Sequence, residues 1–205
     1  MRRYFLYVIV GYLSGSVLYA RLFSRSIGKE QELLQSPDHN PGTSNAFACG
    51  GFACGVLTLL GDILKGLLPV ALFTRSGVPV TAASLALVLA APVVGHAFPC
   101  LYGFRGGKGI ATSFGCLLGL APMWAPVSLL AGCFIFFSTI ICITPHFQRT
   151  AVTYFVTLLL MAVTHQPNGV VCGFTLIVIP VSLRLHLSTE QREPVQVHIA
   201  GRESK

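Results

Sequence analysis

Residues 78–98 read VPVTAASLALVLAAPVVGHAF, and they contain no Asp, Glu, Lys or Arg. About twenty apolar residues in an α-helix cross the roughly 30 Å hydrocarbon core of a bilayer, so this stretch predicts a membrane span. Comparable apolar runs lie along the rest of the chain, at residues 4–23, 52–73, 123–143, 150–163 and 169–187, with a short one at 110–121. The sequence therefore predicts an all-α integral membrane protein of about seven transmembrane helices, one of them short.

The composition agrees with a membrane protein. Of the 205 residues, 53% are hydrophobic and 10% are charged, whereas soluble domains carry about a quarter charged residues. The N-terminal Met1-Arg2-Arg3 and the apolar residues after it lack an A-x-A-like cleavage site, so we interpret them as part of the first span. We expect a membrane domain over residues 1–187 and a polar cytoplasmic tail over 188–205. The seven cysteines form no C-x-x-C pair, which favours buried thiols over a metal site.

The distribution of Lys and Arg predicts the orientation, because cytoplasmic loops carry an excess of these residues. The loops at 21–51, 99–109 and 144–149 share one side with the C-terminal tail. The cations assigned to that side are Arg21, Arg25, Lys29, Arg105, Lys108, Arg149, Arg184, Arg192, Arg202 and Lys205. The other side holds Arg2, Arg3 and Arg75. We therefore expect the first side and the C-terminus to be cytoplasmic. These loops also account for the net charge of +7, so no nucleic-acid partner is predicted.

The first unusual loop is residues 36–45, which read SPDHNPGTSN directly before an apolar run. Two interpretations remain open for this loop. Its Asn and Ser side chains can cap the following helix, or the unpaired amides of that helix N-terminus can bind an anion. Both interpretations use the same donors, and the candidate site residues here are Asn40, Gly42, Ser44 and Asn45.

The second unusual loop is residues 103–112, which read GFRGGKGIAT. Consecutive glycines allow backbone N–H groups to converge on an anion in a nest, and a helix that starts near residue 110 adds its positive end. The loop is not a nucleotide P-loop, because a glycine follows the lysine where a P-loop has Ser or Thr. The loop predicts phosphate binding, and the alternative is contact of a flexible cationic loop with anionic lipid. The candidate phosphate-binding residues are Arg105, Gly106, Gly107, Lys108 and Gly109.

Asp62, Lys65 and His96 are ionisable residues inside or at the end of predicted spans. Asp62 and Lys65 are three residues apart and therefore share a helix face, and ionisable groups at membrane depth are costly and usually functional. A pair that neutralises itself and only packs is the alternative. His96 ends its span just ahead of the second loop, where it is either a core histidine or a site residue.

Together these motifs resemble the bacterial acyl-phosphate:glycerol-3-phosphate acyltransferase family. The resemblance covers about residues 10–120, and the matching residues are Gly15-Ser16, Asn40-x-Gly42-x-x-Asn45, Asp62-Ile63-Leu64-Lys65-Gly66, Gly95-His96-x-Phe98-Pro99 and Gly103-Phe104-x-Gly106-Gly107-Lys108-Gly109-x-Ala111-Thr112. The resemblance implies a monomeric, multi-pass enzyme of the bacterial plasma membrane with its site facing the cytoplasm. It implies transfer of a fatty acyl group from acyl phosphate to the 1-hydroxyl of sn-glycerol 3-phosphate. The product is 1-acyl-glycerol 3-phosphate, a lysophosphatidic acid used in phospholipid synthesis.

The resemblance also implies roles for single residues. Lys108, with Gly106 and Gly107, takes the family's phosphate-binding role, and Arg105 stands where the family has Lys or Arg. The catalytic candidates are Lys108, Asn40, Asn45 and His96. The expected partners are acyl phosphate, glycerol 3-phosphate and membrane lipid, and no metal or other cofactor is implied.

The sequence departs from the family's pattern at three places. Asp38-His39 precede Asn40 where the family has Ser before Gly-Asn, and Ala48 stands where the family has a phosphate-contacting Arg. The family's C-terminal motif is not recognisable in residues 184–205, where His186 and Glu203 are the nearest matches. These departures favour a second interpretation, a non-catalytic paralogue that binds phospho-glycerol or lipid headgroups. A small organic-phosphate transporter is a third, although the two halves show no convincing internal repeat.

Overall fold

A computed structural model describes residues 3–36, 40–188 and 194–199, and most of these residues are helical. In chain order the helices are α1 (Arg3–Gly15), α2 (Tyr19–Ser26), α3 (Glu30–Leu34), α4 (Thr43–Arg75), α5 (Ala82–Ala97), α6 (Ile110–Leu118), α7 (Ala125–Thr139), α8 (His146–Val163) and α9 (Asn168–Leu187). A 3₁₀ turn, Cys100–Tyr102, follows α5, and the two strands are β1 (Ile141–Thr144) and β2 (Gln196–Ile199).

Several of these helices are suited to a membrane. Within the described residues, four segments are long and apolar enough to cross a bilayer, namely Arg3–Ser26, Thr43–Arg75, Ala82–Tyr102 and Asn168–Leu187. Ala125–Thr139 is a shorter apolar helix. The predicted class, a helical multi-pass membrane protein, is confirmed, and the count of about seven spans stays a prediction. The predicted short helix is α6, which at 1.5 Å per residue is about 13 Å long.

Small residues let α1 pack closely against α5. A Cβ added at Gly15 would overlap the Pro92 carbonyl, and a Cβ added at Gly95 would overlap the Tyr12 carbonyl. A Cβ at Gly11 would lie 3.3 Å from Ala91 and Pro92, so Gly11 and Gly15, one helical turn apart, let the two helices approach closely. The predicted span at 4–23 lies within the candidate span Arg3–Ser26, in which α1 ends at Gly15 and α2 begins at Tyr19.

A sharp kink divides α4 at Gly51. Its backbone angles are φ 78° and ψ −177°, a region that only glycine adopts readily. Thr43 Oγ1 lies 3.5 Å from Asp62 Oδ2, whereas nineteen residues of straight helix would separate them by about 28 Å. Residues 43–50, the folded-back arm, therefore run back along the rest of α4, which continues over residues 52–75. A Cβ at Gly55 would overlap the Phe47 ring, so the glycine at this position lets the arm pack closely against the rest of α4.

The core lies between α4, α5, α6, α8 and α9. Its largest fully buried side chains include Phe73, Leu89, Tyr154 and Phe174, and the Tyr154 and Phe174 rings stack at 5.6 Å between centroids. In a bilayer the lipid tails are as apolar as these side chains, so close van der Waals packing stabilises the helix contacts more than removal from water does.

A two-stranded antiparallel sheet ties the C-terminal region to the helices. It pairs Ile141 with Ile199 and Thr144 with Gln196. The predicted span at 123–143 is therefore wrong at its end, because α7 stops at Thr139 and the next residues form β1. β2 lies within the predicted tail 188–205, and the remaining residues of that tail are described only at Ser188, Pro194 and Val195.

Candidate active site

A cavity of about 600 Å³ lies where the two unusual loops of the sequence meet. Its polar lining residues are Asn40, Gly42, Thr43, Ser44, Asn45, Asp62, His96, Lys108, Gly109 and His146, and its apolar ones are Leu59, Ile110, Ala111, Phe114 and Phe134. The folded-back arm supplies one wall, and the start of α6 supplies the opposite one. The cavity thus has both polar and apolar lining residues, which suits a ligand that is partly charged and partly apolar.

Two helix N-termini face this cavity. The first residues of α4 follow the N-cap Gly42, and the first residues of α6 follow the N-cap Gly109. Both N-caps are glycines, which have no side chain to cap the helix, and the first amides of a helix have no intrahelical acceptor. Each N-terminus carries a partial positive charge, and together they form a site suited to anions.

The polar loop is held by its own side chains. Asn45 Nδ2 donates to Ser36 Oγ at 2.9 Å and to the Asn40 carbonyl at 2.7 Å. The Asn45 amide therefore fixes the loop beside the cavity. Capping of α4 by an Asn or Ser at the N-cap, one of the two interpretations of this loop, is not what the structure has, since glycine occupies that position.

The Gly-rich loop packs on the end of α5. Gly106 N donates to the Ala97 carbonyl at 3.2 Å, and Gly107 N donates to the His96 carbonyl at 3.1 Å. These two amides are therefore bonded within the protein, and the predicted nest of glycine amides is replaced by the N-terminus of α6. A Cβ at Gly106 would overlap the His96 carbonyl, and a Cβ at Gly107 would overlap the His96 ring. Glycine is required here because the loop approaches α5 so closely.

The two cations of this loop are placed differently. Lys108 is half-buried and lines the cavity, whereas Arg105 is exposed and lies outside the cavity lining. Arg184 of α9 instead reaches the loop, where its guanidinium donates to the Gly106 carbonyl. Gly109, with φ 78°, turns the chain from Lys108 into α6.

Asp62, Lys65 and His96 form one buried cluster below the cavity. Lys65 Nζ lies 2.7 Å from Asp62 Oδ1 and 2.7 Å from His96 Nδ1, and it donates to the Val17 carbonyl at 2.7 Å. The residues are 2%, 2% and 3% exposed, respectively. Asp62 and His96 line the cavity, so the ion pair between the α4 residues is linked to the site through them.

Sequence reasoning missed two of the lining residues, Thr43 and His146. Thr43 begins the folded-back arm, and a fold-back at a single glycine has no periodic signal in the sequence. His146 begins α8, and its Nδ1 lies 3.2 Å from Thr150 Oγ1. A lone histidine after a proline carries no functional pattern, so no signal pointed to it.

The structure describes only some of the residues at which the sequence departs from the family's pattern. Asp38 and His39 lie outside the described residues, as does Glu203. Ala48 is exposed on the folded-back arm, away from the cavity lining. His186 lies in the last turn of α9 and does not line the described cavity.

The fold and the cavity define a helical membrane protein with a polar site between its spans, and this site contains a lysine side chain. The sequence profile of the family Glycerol-3-phosphate acyltransferase matches residues 5–192, and the chain belongs to this family.

Curated relatives agree with this membership. The glycerol-3-phosphate acyltransferase of Pseudomonas fluorescens (strain Pf0-1) is 42% identical over 130 residues, which cover 63% of this chain and 66% of the relative. That of Pseudomonas paraeruginosa (strain DSM 24068 / PA7) is 45% identical over 126 residues, which cover 62% of this chain and 64% of the relative. The matched part of this chain thus spans slightly less than two thirds of the length of each relative.

Two solved structures share the fold. Both are crystal structures of PlsY (YgiH), an integral membrane glycerol 3-phosphate acyltransferase. The lysphosphatidic acid form has a TM-score of 0.70 and 26% sequence identity, and the glycerol 3-phosphate form has a TM-score of 0.74 and 24% identity. Each comparison covers 88% of this chain and 87% of the other chain.

Proposed function

We propose that this protein is an acyltransferase that moves a fatty acyl group from acyl phosphate to the 1-hydroxyl of sn-glycerol 3-phosphate. The product is 1-acyl-glycerol 3-phosphate. The observation that carries the proposal is the convergence of Lys108 and two helix N-termini on one cavity, in a chain of the glycerol-3-phosphate acyltransferase family. Each of the two substrates carries a phosphate group. The N-termini of α4 and α6 and the Lys108 ammonium supply the positive charge that binds these two anions.

The proposed reaction does not require a nucleophile from the protein. The 1-hydroxyl oxygen of glycerol 3-phosphate attacks the acyl carbonyl carbon, the bond from that carbon to the phosphate oxygen breaks, and inorganic phosphate leaves. A phosphate oxygen takes the hydroxyl proton, so atoms and charges balance without a covalent enzyme intermediate. What the protein supplies is the orientation of the two anions and stabilisation of the oxyanion that develops on the carbonyl.

Each candidate residue has a place in this scheme. Lys108 and the first amides of α6 hold one phosphate, and the first residues of α4, with Gly42 and Ser44, hold the other. Asn40 and His96 line the same cavity. Phe114 and Phe134 form the apolar wall for the start of the acyl chain.

The proposed setting is the bacterial plasma membrane, with the cavity and the C-terminus on the cytoplasmic side. The support is the excess of Lys and Arg on that side of the chain. Residues 1–187 form the membrane domain in this proposal, and the protein acts as a monomer.

The decisive experiment is phosphate release from palmitoyl phosphate by purified protein in detergent, with and without sn-glycerol 3-phosphate. We expect release that depends on the acceptor, together with formation of 1-acyl-glycerol 3-phosphate. Folded protein that binds glycerol 3-phosphate without turnover would contradict the proposal. That outcome would favour the second candidate, a binding paralogue, for which Ala48 in place of an arginine is the supporting observation.

A further inference from the structure

The Lys65 ammonium has three close partners in the cluster below the cavity. Three atoms lie 2.7 Å from Lys65 Nζ, namely the Val17 carbonyl oxygen, Asp62 Oδ1 and His96 Nδ1. A lysine ammonium has three donors and no acceptor. Asp62 forms an ion pair with this ammonium. In the hydrogen bond between Lys65 Nζ and His96 Nδ1 the ammonium can only donate, so His96 Nδ1 has to accept.

An accepting Nδ1 determines the state of the ring. A doubly protonated imidazole has two donors and no acceptor, and it cannot occupy this position beside an ammonium. A neutral ring that accepts at Nδ1 carries its hydrogen on Nε2. The charges around the ring agree with a neutral imidazole, because Lys65 lies against it and the Arg184 guanidinium reaches the nearby Gly106 carbonyl. Asp62 balances Lys65 and lies 3.7 Å from Nδ1.

The Nε2 edge of the ring lies beside Gly107 of the Gly-rich loop. His96 lines the cavity, and a Cβ at Gly107 would overlap Nε2 while lying 3.1 Å from Asn40 Oδ1. Because residue 107 has no side chain, Nε2 is not covered at this position of the loop.

We propose that Lys65 is a positioning residue that fixes His96 as the tautomer with its hydrogen on Nε2, so that His96 donates a hydrogen bond to an anionic oxygen of the substrate. The identity of that anion rests on the proposed function, whereas the tautomer does not. No proton is transferred in this role. Asp62 acts one step further away, by holding the Lys65 ammonium against Nδ1.

The tautomer is measured by nitrogen-15 NMR of histidine-labelled protein in detergent without substrate. The His96 signals are identified by their loss in His96→Gln. We expect an unprotonated Nδ1 and a protonated Nε2 in the native protein. A native ring with its hydrogen on Nδ1, or a doubly protonated ring near neutral pH, would overturn the proposal. Since no substrate is present, an absence of acyl transfer would contradict the proposed function and leave this result standing.

Lys65→Met tests the cause, because methionine keeps much of the length of the side chain and has no hydrogen to donate. We expect a mixture of His96 tautomers, since Nδ1–H can then turn to Asp62, and a fall in kcat/KM of roughly tenfold or more, as for a lost hydrogen bond to a charged group. The matched control is Leu64→Met on the exposed side of the same helix, which should change neither quantity. An unchanged tautomer with unchanged kcat/KM in Lys65→Met would overturn the proposal. If Lys65→Met does not fold, the proposal is tested by the nitrogen-15 NMR measurement of the His96 tautomer in the native protein.

Discussion

Lys108 and Arg105 show how neighbouring cations on one loop differ in their surroundings. Lys108 lies at the cavity between α6 and the folded-back arm, whereas Arg105 faces away and is exposed. An ammonium at a site from which water is partly excluded interacts with a phosphate more strongly than an exposed guanidinium does. The two residues therefore form a natural pair of test and control.

Lys108→Ala should raise the KM for glycerol 3-phosphate by roughly tenfold to a hundredfold, because a hydrogen bond to a charged group contributes about 1.5–3 kcal/mol. Arg105→Ala, the control on the same loop, should change KM by less than about threefold, as expected of an exposed charge. Steady-state kinetics and thermal unfolding of both variants provide the measurement. Equal losses of activity in the two variants, or loss of folded protein in Lys108→Ala, would argue against the assignment.

Gly107 tests the close approach of the loop to α5. Gly107→Ala should lower stability by about 1–3 kcal/mol, as for overpacking, because the added Cβ collides with the His96 ring. Gly132→Ala in α7 meets nothing within 4 Å and should be neutral or stabilising by up to about 1 kcal/mol. Thermal unfolding in detergent compares the two, and an unaffected Gly107→Ala would mean that the loop is free to move away.

At the scale of an element, α4 is the helix that builds the site. Its kink at Gly51 brings Thr43 back to Asp62, so one helix supplies both an N-terminus and a buried carboxylate to the cavity. A straight helix would leave these groups on opposite sides of the hydrocarbon core.

Gly51→Ala should destabilise the fold-back, because backbone angles of φ 78° and ψ −177° cost a residue with a Cβ about 1–3 kcal/mol. The added methyl group meets nothing within 4 Å, so the cost is conformational and not steric. We expect weaker binding of glycerol 3-phosphate, measured by calorimetry, together with a lower melting temperature. Binding equal to that of the Gly132→Ala control would show that the arm holds its place without this glycine.

The elements also show what the sequence predicts and what it does not. Apolar length predicted the span at 52–73, and it begins one residue after the kink. The fold-back of residues 43–50 was not predicted, since the arm is held by Phe47 and Gly55 and by the contact of Thr43 with Asp62. For the same reason the amides of Gly106 and Gly107 were assigned to an anion, although α5 carbonyls take them.

At the scale of the whole molecule, the candidate site residues lie on one side of the helix bundle. The start of α4, the end of α5 and the starts of α6 and α8 meet at the cavity. The turn between α4 and α5, at residues 76–81, lies at the opposite ends of these two helices. The orientation in the membrane therefore decides which compartment reaches the site.

Single cysteines test that orientation in a background whose seven native cysteines are replaced by alanine. Ser76→Cys, at the exposed C-terminal end of α4, should react with a membrane-impermeant maleimide in intact spheroplasts. Arg105→Cys, also exposed, should react only after the membrane is permeabilised. The reverse pattern would place the cavity on the outer face and contradict the predicted cytoplasmic site.

The folded-back arm also sets an order of assembly during synthesis. At 1.5 Å per residue, residues 43–50 extend about 12 Å, less than half of a bilayer's hydrocarbon thickness. Such a segment cannot enter the membrane as a span of its own, so it settles only against a partner that is already inserted, the following part of α4. The last wall of the cavity comes from His146, far along the chain. A nascent chain that has not yet reached this residue therefore holds an unfinished site, and the site is completed late in biogenesis.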